Sequence, residues 1–362
     1  MKFLTGIIRI VLIPISVIYS VIMNVRNFLY DKNILSACNA GAKIISIGNI
    51  TTGGTGKTPF VIFIAKYFLN KGKTVGIISR GYGRAEKKMV TVYDGFKINE
   101  DINQTGDEPA LIAYELSKEF SGKFYIIASA DRCRASEYMM SKFKPDIIIL
   151  DDAFQHRKIR RDLDIVLIDE TDYEKNRLKY LFTIPSGDLR ESFSNIKRAD
   201  LIVLNSKHSD KSSDHKGNKY FSDTVKIKYK SEYLIDHKNT ILKPDSVGNP
   251  EEEIKMAILF SGIAKPESFC NAVKSLNIKV TNEIIYDDHH NYSYEDIEKL
   301  ISLYKKDTVY VTTEKDFIKI KKYKKFTDSF PVYFLNLEIE VTGNISLLES
   351  KLLDILKINK NN

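Results

Sequence analysis

The run Thr51-Thr52-Gly53-Gly54-Thr55-Gly56-Lys57-Thr58 constrains this chain most, because it lies where a short apolar strand hands over to an amphipathic helix. Ile44, Ile45 and Ile47 precede it as a strand, and Phe60, Val61, Phe63, Ile64, Tyr67 and Phe68 follow at the spacing of one helical face. Pro59 suits an opening turn, Gly72 suits a helix stop, and Thr74-Val75-Gly76-Ile77-Ile78 reads as the next strand. Glycines at such a junction let consecutive backbone N–H groups turn inward as an anion nest. Lys57 brings positive charge to the outer phosphates, and Thr58 offers a hydroxyl to Mg2+. Residues 51–58 are expected to bind a nucleoside triphosphate, although Thr51 stands where the usual pattern has glycine.

Further apolar strands at Phe124 to Ala128, Ile147 to Leu150, Ile165 to Ile168 and Leu201 to Leu204 predict a doubly wound, mainly parallel α/β sheet. The polar stretch Ser206 to Asp223 predicts an exposed loop or boundary. Beyond it, strands at Met256 to Phe260, Thr308 to Val311 and Val332 to Leu335, with helices at Pro266 to Leu276 and Tyr294 to Tyr304, predict a second, smaller α/β domain. The lysine-rich stretch Lys319 to Lys325 reads as a solvated helix face.

At 362 residues, 43% hydrophobic and 28% charged, the chain has room for two ordinary cores, which excludes a disordered or multi-span membrane protein. A net charge of +8 favours anionic partners, without choosing among nucleotide phosphate, lipid headgroup, nucleic acid and phosphorylated substrate. Cys38, Cys133 and Cys270 are widely spaced, so neither a disulfide framework nor a zinc site is expected, and a reducing cytoplasmic setting fits. Ile10 to Val25 carries no charge and is bracketed by Arg9 and Arg26, with Lys2 upstream. Sixteen helical residues reach about 24 Å, short of a hydrocarbon core of about 30 Å, and Pro14 interrupts them. A helix in the membrane interface fits better than a full span, the alternative being a buried core helix. Leu35-Ser36-Ala37-Cys38 resembles a lipoprotein cleavage box, but Asp31, Lys32 and Asn33 intervene and argue against export.

Ile147 to Leu150 runs into Asp151-Asp152, which is how a neighbouring strand holds the water shell of Mg2+ beside a phosphate loop; which carboxylate meets the metal is left open. Three more strings approach predicted strand ends, where α/β folds place ligands: Ser79 to Arg84, Gly106-Asp107-Glu108-Pro109 and Phe154-Gln155-His156-Arg157. Arg80 and Arg84 are candidates to clamp phosphate, with the glycines of their string allowing close approach. Each string alone is also compatible with ordinary turn chemistry.

Together these strings resemble the tetraacyldisaccharide 4′-kinases, the lipid A kinases of Gram-negative bacteria. The resemblance runs in order from Ser46-Ile47-Gly48-Asn49 through the loop and the strings above. It continues through Pro185-Ser186-Gly187-Asp188-Leu189-Arg190-Glu191, Asp287-Asp288-His289-His290-Asn291-Tyr292 and Thr313-Glu314-Lys315-Asp316. Ala153, Ser186 and Asp188 depart slightly from the family pattern. The resemblance implies a membrane-surface kinase that moves the γ-phosphate of ATP to the 4′-hydroxyl of a tetraacyldisaccharide 1-phosphate, giving lipid IVA. It implies Asp107 as the base, His289 as its partner, Lys57 on the transferred phosphate, Arg190 against phosphate charge, and Glu191 with Thr58, Asp151 and Asp152 around Mg2+. Asn49, Arg80, Tyr82, Arg84, Gln155, His156 and Arg190 are the expected substrate or phosphate contacts.

The implied organisation is a membrane-associated helix over 1–28, a phosphate-loop kinase core over 29–205, a linker over 206–224 and a substrate-cleft domain over 225–362. The expected location is the cytoplasmic face of the bacterial inner membrane, with neither nucleic acid nor an obligate protein partner. Two other classes fit the sequence less well. A regulatory NTPase lacks a guanine-reading Asn/Thr-Lys-x-Asp string and a use for the residues around His289. A nonenzymatic anion binder lacks an aromatic-interleaved basic stripe.

Overall fold

Strand–helix alternation leads to two sheets in the computed structural model, which describes residues 8–84, 87–207, 220–238, 240–242 and 256–357. The larger sheet contains β1 (Lys43–Gly48), β2 (Val75–Ser79), β3 (Val90–Tyr93), β4 (Phe124–Ala128), β5 (Ile147–Asp151), β6 (Leu163–Asp169), β7 (Leu201–Asn205), β8 (Thr224–Lys230) and β15 (Glu338–Gly343). Its order is β15-β8-β7-β6-β1-β5-β2-β4-β3. Neighbours from β8 to β4 pair in parallel, and only β15 and β3 at the edges run antiparallel. The smaller sheet contains β9 (Leu234–Asp236), β10 (Ile241–Leu242), β11 (Met256–Ser261), β12 (Lys279–Ile285), β13 (Thr308–Thr313) and β14 (Val332–Leu335), ordered β10-β9-β14-β13-β11-β12. It too is mixed and mainly parallel.

Alternation along β1 and β5 splits the larger core between two faces. Ile45, Ile47, Ile147 and Ile149 pack under the helix Lys57–Asn70, where Phe60, Val61, Ile64 and Phe68 are buried as the periodicity predicts. Ile44, Ile148 and Leu150 point the other way, toward Met139 of the helix Arg132–Lys142. Strands covered on both faces read as continuous apolar runs, which is why these were legible. The register sets Ile47 of β1 opposite Asp151 of β5, so the loop after β1 and the carboxylate at the end of β5 emerge side by side.

Three expectations need correction. The smaller unit does not run unbroken over 225–362: β8 and β15 belong to the larger sheet, and Leu348, Leu352 and Ile355 of the helix Ile345–Lys357 join its core. Strand pairing across more than a hundred residues is not written in local pattern. The polar stretch 206–224 lies mostly outside the described residues; of its described ends, Ser206, Phe221 and Thr224 are buried while Ser222 and Asp223 are exposed. Cys38 and Cys133, expected to form no disulfide, are bonded to each other. In the segment before β1, Cys38 donates its backbone N–H to Lys158 and accepts from Arg160, and the start of the Arg132–Lys142 helix meets the same stretch, so the two sulfurs converge despite a sequence separation of 95. Cys270 is a buried free thiol.

Candidate active site

The loop after β1 is braced from within. Asn49 is fully buried and its side-chain amide donates to the Thr55 hydroxyl (3.2 Å) and to the Gly53 carbonyl (3.4 Å). Asn205, at the end of β7, donates to the Thr55 carbonyl at 3.0 Å. Gly56 has φ of 92°, and a Cβ there would come within 2.1 Å of the Tyr229 hydroxyl, so glycine is required just before the helix begins at Lys57. Lys207 ties the loop outward: its ammonium lies 3.1 Å from the Gly54 carbonyl and 2.7 Å from Asp169, which also holds Lys265 at 2.8 Å.

Lys57 reaches back to Asp152, with Nζ 3.3 Å from Oδ1, and Arg190 donates to both oxygens of Asp152 at 2.9 Å. Burial alone would raise Asp152, but Lys57 and Arg190 outweigh it and hold the carboxyl below its ordinary range. Asp151 is in the opposite condition. It is buried, accepts from the Ser79 hydroxyl at 2.8 Å, and is pushed up to about 7 by burial, with Glu108 and Asp152 as negative neighbours. Glu191 is not brought to this pair. It is fully buried, with Oε1 taken by Gln155 (3.0 Å) and Oε2 by Asn27 (2.8 Å) and Arg198 (2.7 Å). Among the described residues, no three His, Cys, Asp or Glu side chains converge as a preformed metal cluster.

Across the cleft, Asp107 opens the helix Asp107–Ser117, and His289 arrives from the turn after β12 with φ of 64°. Nδ1 of His289 lies 2.8 Å from Oδ2 of Asp107. Lys315 and Lys319, one turn apart on the helix Glu314–Ile320, place their ammonium groups 3.3 and 3.4 Å from the same oxygen. Lys319, expected on a solvated face, is only 4% exposed and is also 3.6 Å from Asp316. Burial would raise Asp107, yet His289, Lys315 and Lys319 outweigh it and hold the carboxyl far below its ordinary range. The bond to Asp107 raises His289 above its ordinary value, against burial and the charge of Lys315.

These two clusters face one cavity of about 1230 Å³. Lys57, Thr58, Asp152, Arg80, Tyr82 and Arg190 line it from the larger sheet, and Asp288, His289 and Lys315 from the smaller. Asp107 stands behind His289. The family model described as tetraacyldisaccharide-1-P 4′-kinase matches residues 8–357 of this chain. The chain belongs to this family. Over 355 residues it is 33% identical to the tetraacyldisaccharide 4′-kinase of Chlorobaculum tepidum, covering 96% of this chain and 98% of that one. It is 34% identical over 332 residues to the enzyme of the same name from Aquifex aeolicus, covering 91% and 94%. A crystal structure of the Aquifex aeolicus family member LpxK in complex with ATP superposes with a TM-score of 0.75 at 31% identity, covering 96% of this chain and 99% of that one.

Within a tetraacyldisaccharide 4′-kinase chain, the expected contact residues divide in two. Arg80, Tyr82 and Arg190 face the cavity, and the Tyr82 ring sits 5.3 Å from that of His289. Asn49, Arg84, Gln155 and His156 do not line the cavity. Arg84 donates to the carbonyls of Gly81, Lys88 and Ala128, Gln155 donates to the Asn49 carbonyl, and His156 is pushed down to about 4 by burial beside Arg132 and Arg161. The sequence marks Lys315 only as part of the Thr313–Asp316 string, with no role, reads Lys319 as solvated, and gives no sign of the Lys207–Asp169–Lys265 bridge. The recurrence of lysine at positions 315 and 319 was the available signal, since residues four apart share a helix face.

Proposed function

We propose that this chain transfers the γ-phosphate of ATP to the 4′-hydroxyl of a tetraacyldisaccharide 1-phosphate, giving lipid IVA in lipid A biosynthesis. One observation carries the residue assignments: a lysine–aspartate–arginine cluster at a glycine loop faces a carboxylate–imidazole pair across a single cavity. Phosphoryl transfer asks a protein chiefly for alignment and charge neutralisation. In this reading residues 51–58 cradle the nucleotide phosphates, with Lys57 and Arg190 neutralising charge that builds on the transferred group. The 4′-oxygen bonds to the γ-phosphorus as the bond to the β–γ bridging oxygen breaks, and ADP leaves. The hydroxyl proton passes to the Asp107–His289 pair. Asp107 is the expected base, but of the pair only His289 lines the cavity, so in this reading the His289 ring takes the proton while Asp107 fixes that ring and stabilises it once protonated.

The donors around the loop fit a hard divalent cation. Thr58, Asp151 and Asp152 offer oxygen ligands, and the buried Asp151 lies among negative neighbours that a cation would relieve. Mg2+ held there would neutralise phosphate charge, and Glu191 joins the set only by giving up its present partners. The two sheets act as lobes, and the Asp107–His289 and Asp169–Lys265 contacts are those a closed cleft would use.

The apolar helix Ile13–Asp31 supports a site at the cytoplasmic surface of the inner membrane. Its polar Ser16 and Asn27 are turned toward the protein, while Ile18, Val21, Ile22 and Val25 point outward, the reverse of a soluble surface helix. That arrangement supports a helix lying in the membrane interface, where the acyl chains of the acceptor remain in the bilayer. The deciding experiment follows labelled γ-phosphate from Mg·ATP into purified tetraacyldisaccharide 1-phosphate. Labelled lipid that requires both acceptor and Lys57 is expected; label released only as free phosphate would overturn the kinase reading.

A further inference from the structure

The segment between β6 and β7 contains two leucines that a soluble surface does not explain. Leu178 is 78% exposed and Leu181 is 66% exposed, yet the backbone that carries them is firmly held. Tyr180, between them, turns inward: it is buried, donates to Asp172 at 3.2 Å and packs edge-on against Tyr173 with ring centroids 5.0 Å apart. Gly187 clamps the following turn, where a Cβ would come within 2.0 Å of the Phe182 carbonyl oxygen. The leucines therefore cannot rotate into the core while Tyr180 occupies it.

This segment is joined directly to the apolar amino-terminal helix. The Thr183 hydroxyl donates to the Ser16 carbonyl at 2.7 Å, and the Ser186 N–H donates to the Ser16 hydroxyl at 2.8 Å. Asp188 bridges the two elements, with Arg9 at 3.0 Å and Lys179 at 3.6 Å. The exposed leucines thus sit on a segment tied at Ser16 and Arg9 to the helix whose Ile10, Val11 and Ile18 are also exposed. Lys175, Arg177 and Lys179 stand among the leucines, matched in number by Asp172, Glu174 and Asp188, and these basic side chains suit the anionic headgroups that flank a bilayer's apolar layer.

We infer that residues 177–182 form a second membrane-contacting element, inserting Leu178 and Leu181 into an anionic lipid surface beside the amino-terminal helix. The inference rests on the membrane reading of that helix. Two contacts separated along the protein surface hold its tilt on the bilayer more firmly than a single interfacial helix does.

The chain contains no tryptophan, so one introduced indole is the sole reporter of its kind. Full-length Leu181→Trp, Ile18→Trp and Tyr294→Trp proteins would each be mixed with phosphatidylglycerol-containing vesicles bearing lipid brominated near the top of the acyl chains. Leu181→Trp is expected to shift to the blue and lose roughly half its emission, as an indole seated at the headgroup–acyl boundary would. Ile18→Trp should be quenched as well, while Tyr294→Trp, exposed on the smaller lobe, should not. Quenching at residue 18 without quenching at 181 overturns the second contact and leaves the helix reading standing. Quenching at neither overturns both, and equal quenching at 294 shows nonspecific adsorption and overturns the assignment. As an independent check, the exposed pair Leu178→Asn and Leu181→Asn is expected to weaken vesicle sedimentation about five- to tenfold through lost apolar burial; unchanged sedimentation overturns the proposal.

Discussion

Asp107 and Asp151 are both buried carboxylates behind the wall of the same cavity, next to His289 and Asp152 that line it, yet their surroundings drive them in opposite directions. Asp107 meets an imidazole and two ammonium groups, which more than offset its burial and keep it ionised. Asp151 meets other carboxylates, and burial leaves it short of positive charge. The difference separates a finished site from an unfinished one. The acceptor side carries its own counter-charges, whereas the nucleotide side has a deficit that a bound cation would fill.

The largest test of this contrast is Lys57→Ala, which takes one of the few cations from the nucleotide side. Turnover is expected to fall about 10³- to 10⁵-fold, as when a charge-neutralising residue is removed from a phosphoryl-transfer site. Undiminished acceptor-dependent labelling would take Lys57 out of the mechanism. On the acceptor side, Asp107→Ala is expected to cost about 10²- to 10⁴-fold in kcat. Nucleotide affinity should hardly move, because the carboxylate stands behind His289; a large loss of ATP binding by calorimetry would refute that separation.

Cation demand itself can be read without turnover. At ten times its Kd, Mg2+ should stabilise the wild-type protein by about 1.4 kcal/mol. That corresponds to a rise of roughly 2–3 °C in Tm for a chain of this size. Asp151→Asn should lose most of the rise, and a full shift in that variant would place the ion elsewhere.

The smallest effect is a displacement in pH. Because the folded protein raises His289 above its ordinary value of 6.5, its bond to Asp107 stabilises most below that pH and fades as pH climbs through the raised value. Proton acceptance needs the neutral ring, so activity should rise over the same interval. Lys315→Met removes a cation that holds His289 down, and the acid limb of the activity profile should move to higher pH. A limb that stays in place would uncouple Lys315 from the pair.

Much of the nucleotide side was legible because its parts are consecutive or repeat at short range. The strand into residues 51–58, the helical face from Phe60 to Phe68 and the carboxylates closing β5 are each encoded within about a dozen residues. The acceptor side draws Asp107, His289, Lys315 and Lys319 from three distant segments; only resemblance to family strings marked the first three, and it gave Lys315 no role. Lys319 was hidden in a run of lysines whose average character is solvated, though the helix turns that one residue inward. The Cys38–Cys133 pairing and the return of β15 to the larger sheet stayed invisible for a related reason. Each depends on where two remote segments land rather than on what either contains.

That return has a consequence for how the molecule could be taken apart. Lys230, the last residue of β8, and Glu338, the first of β15, are direct register partners. Everything from 231 to 337 therefore leaves and re-enters through adjacent positions of one antiparallel ribbon. The smaller lobe is a cassette: excising it and closing 230 to 338 with a two-residue hairpin turn would restore an uninterrupted nine-stranded sheet. Such a truncated chain would keep the nucleotide loop and lose His289, Lys315 and Lys319 together, turning a two-substrate machine into its ATP-holding half.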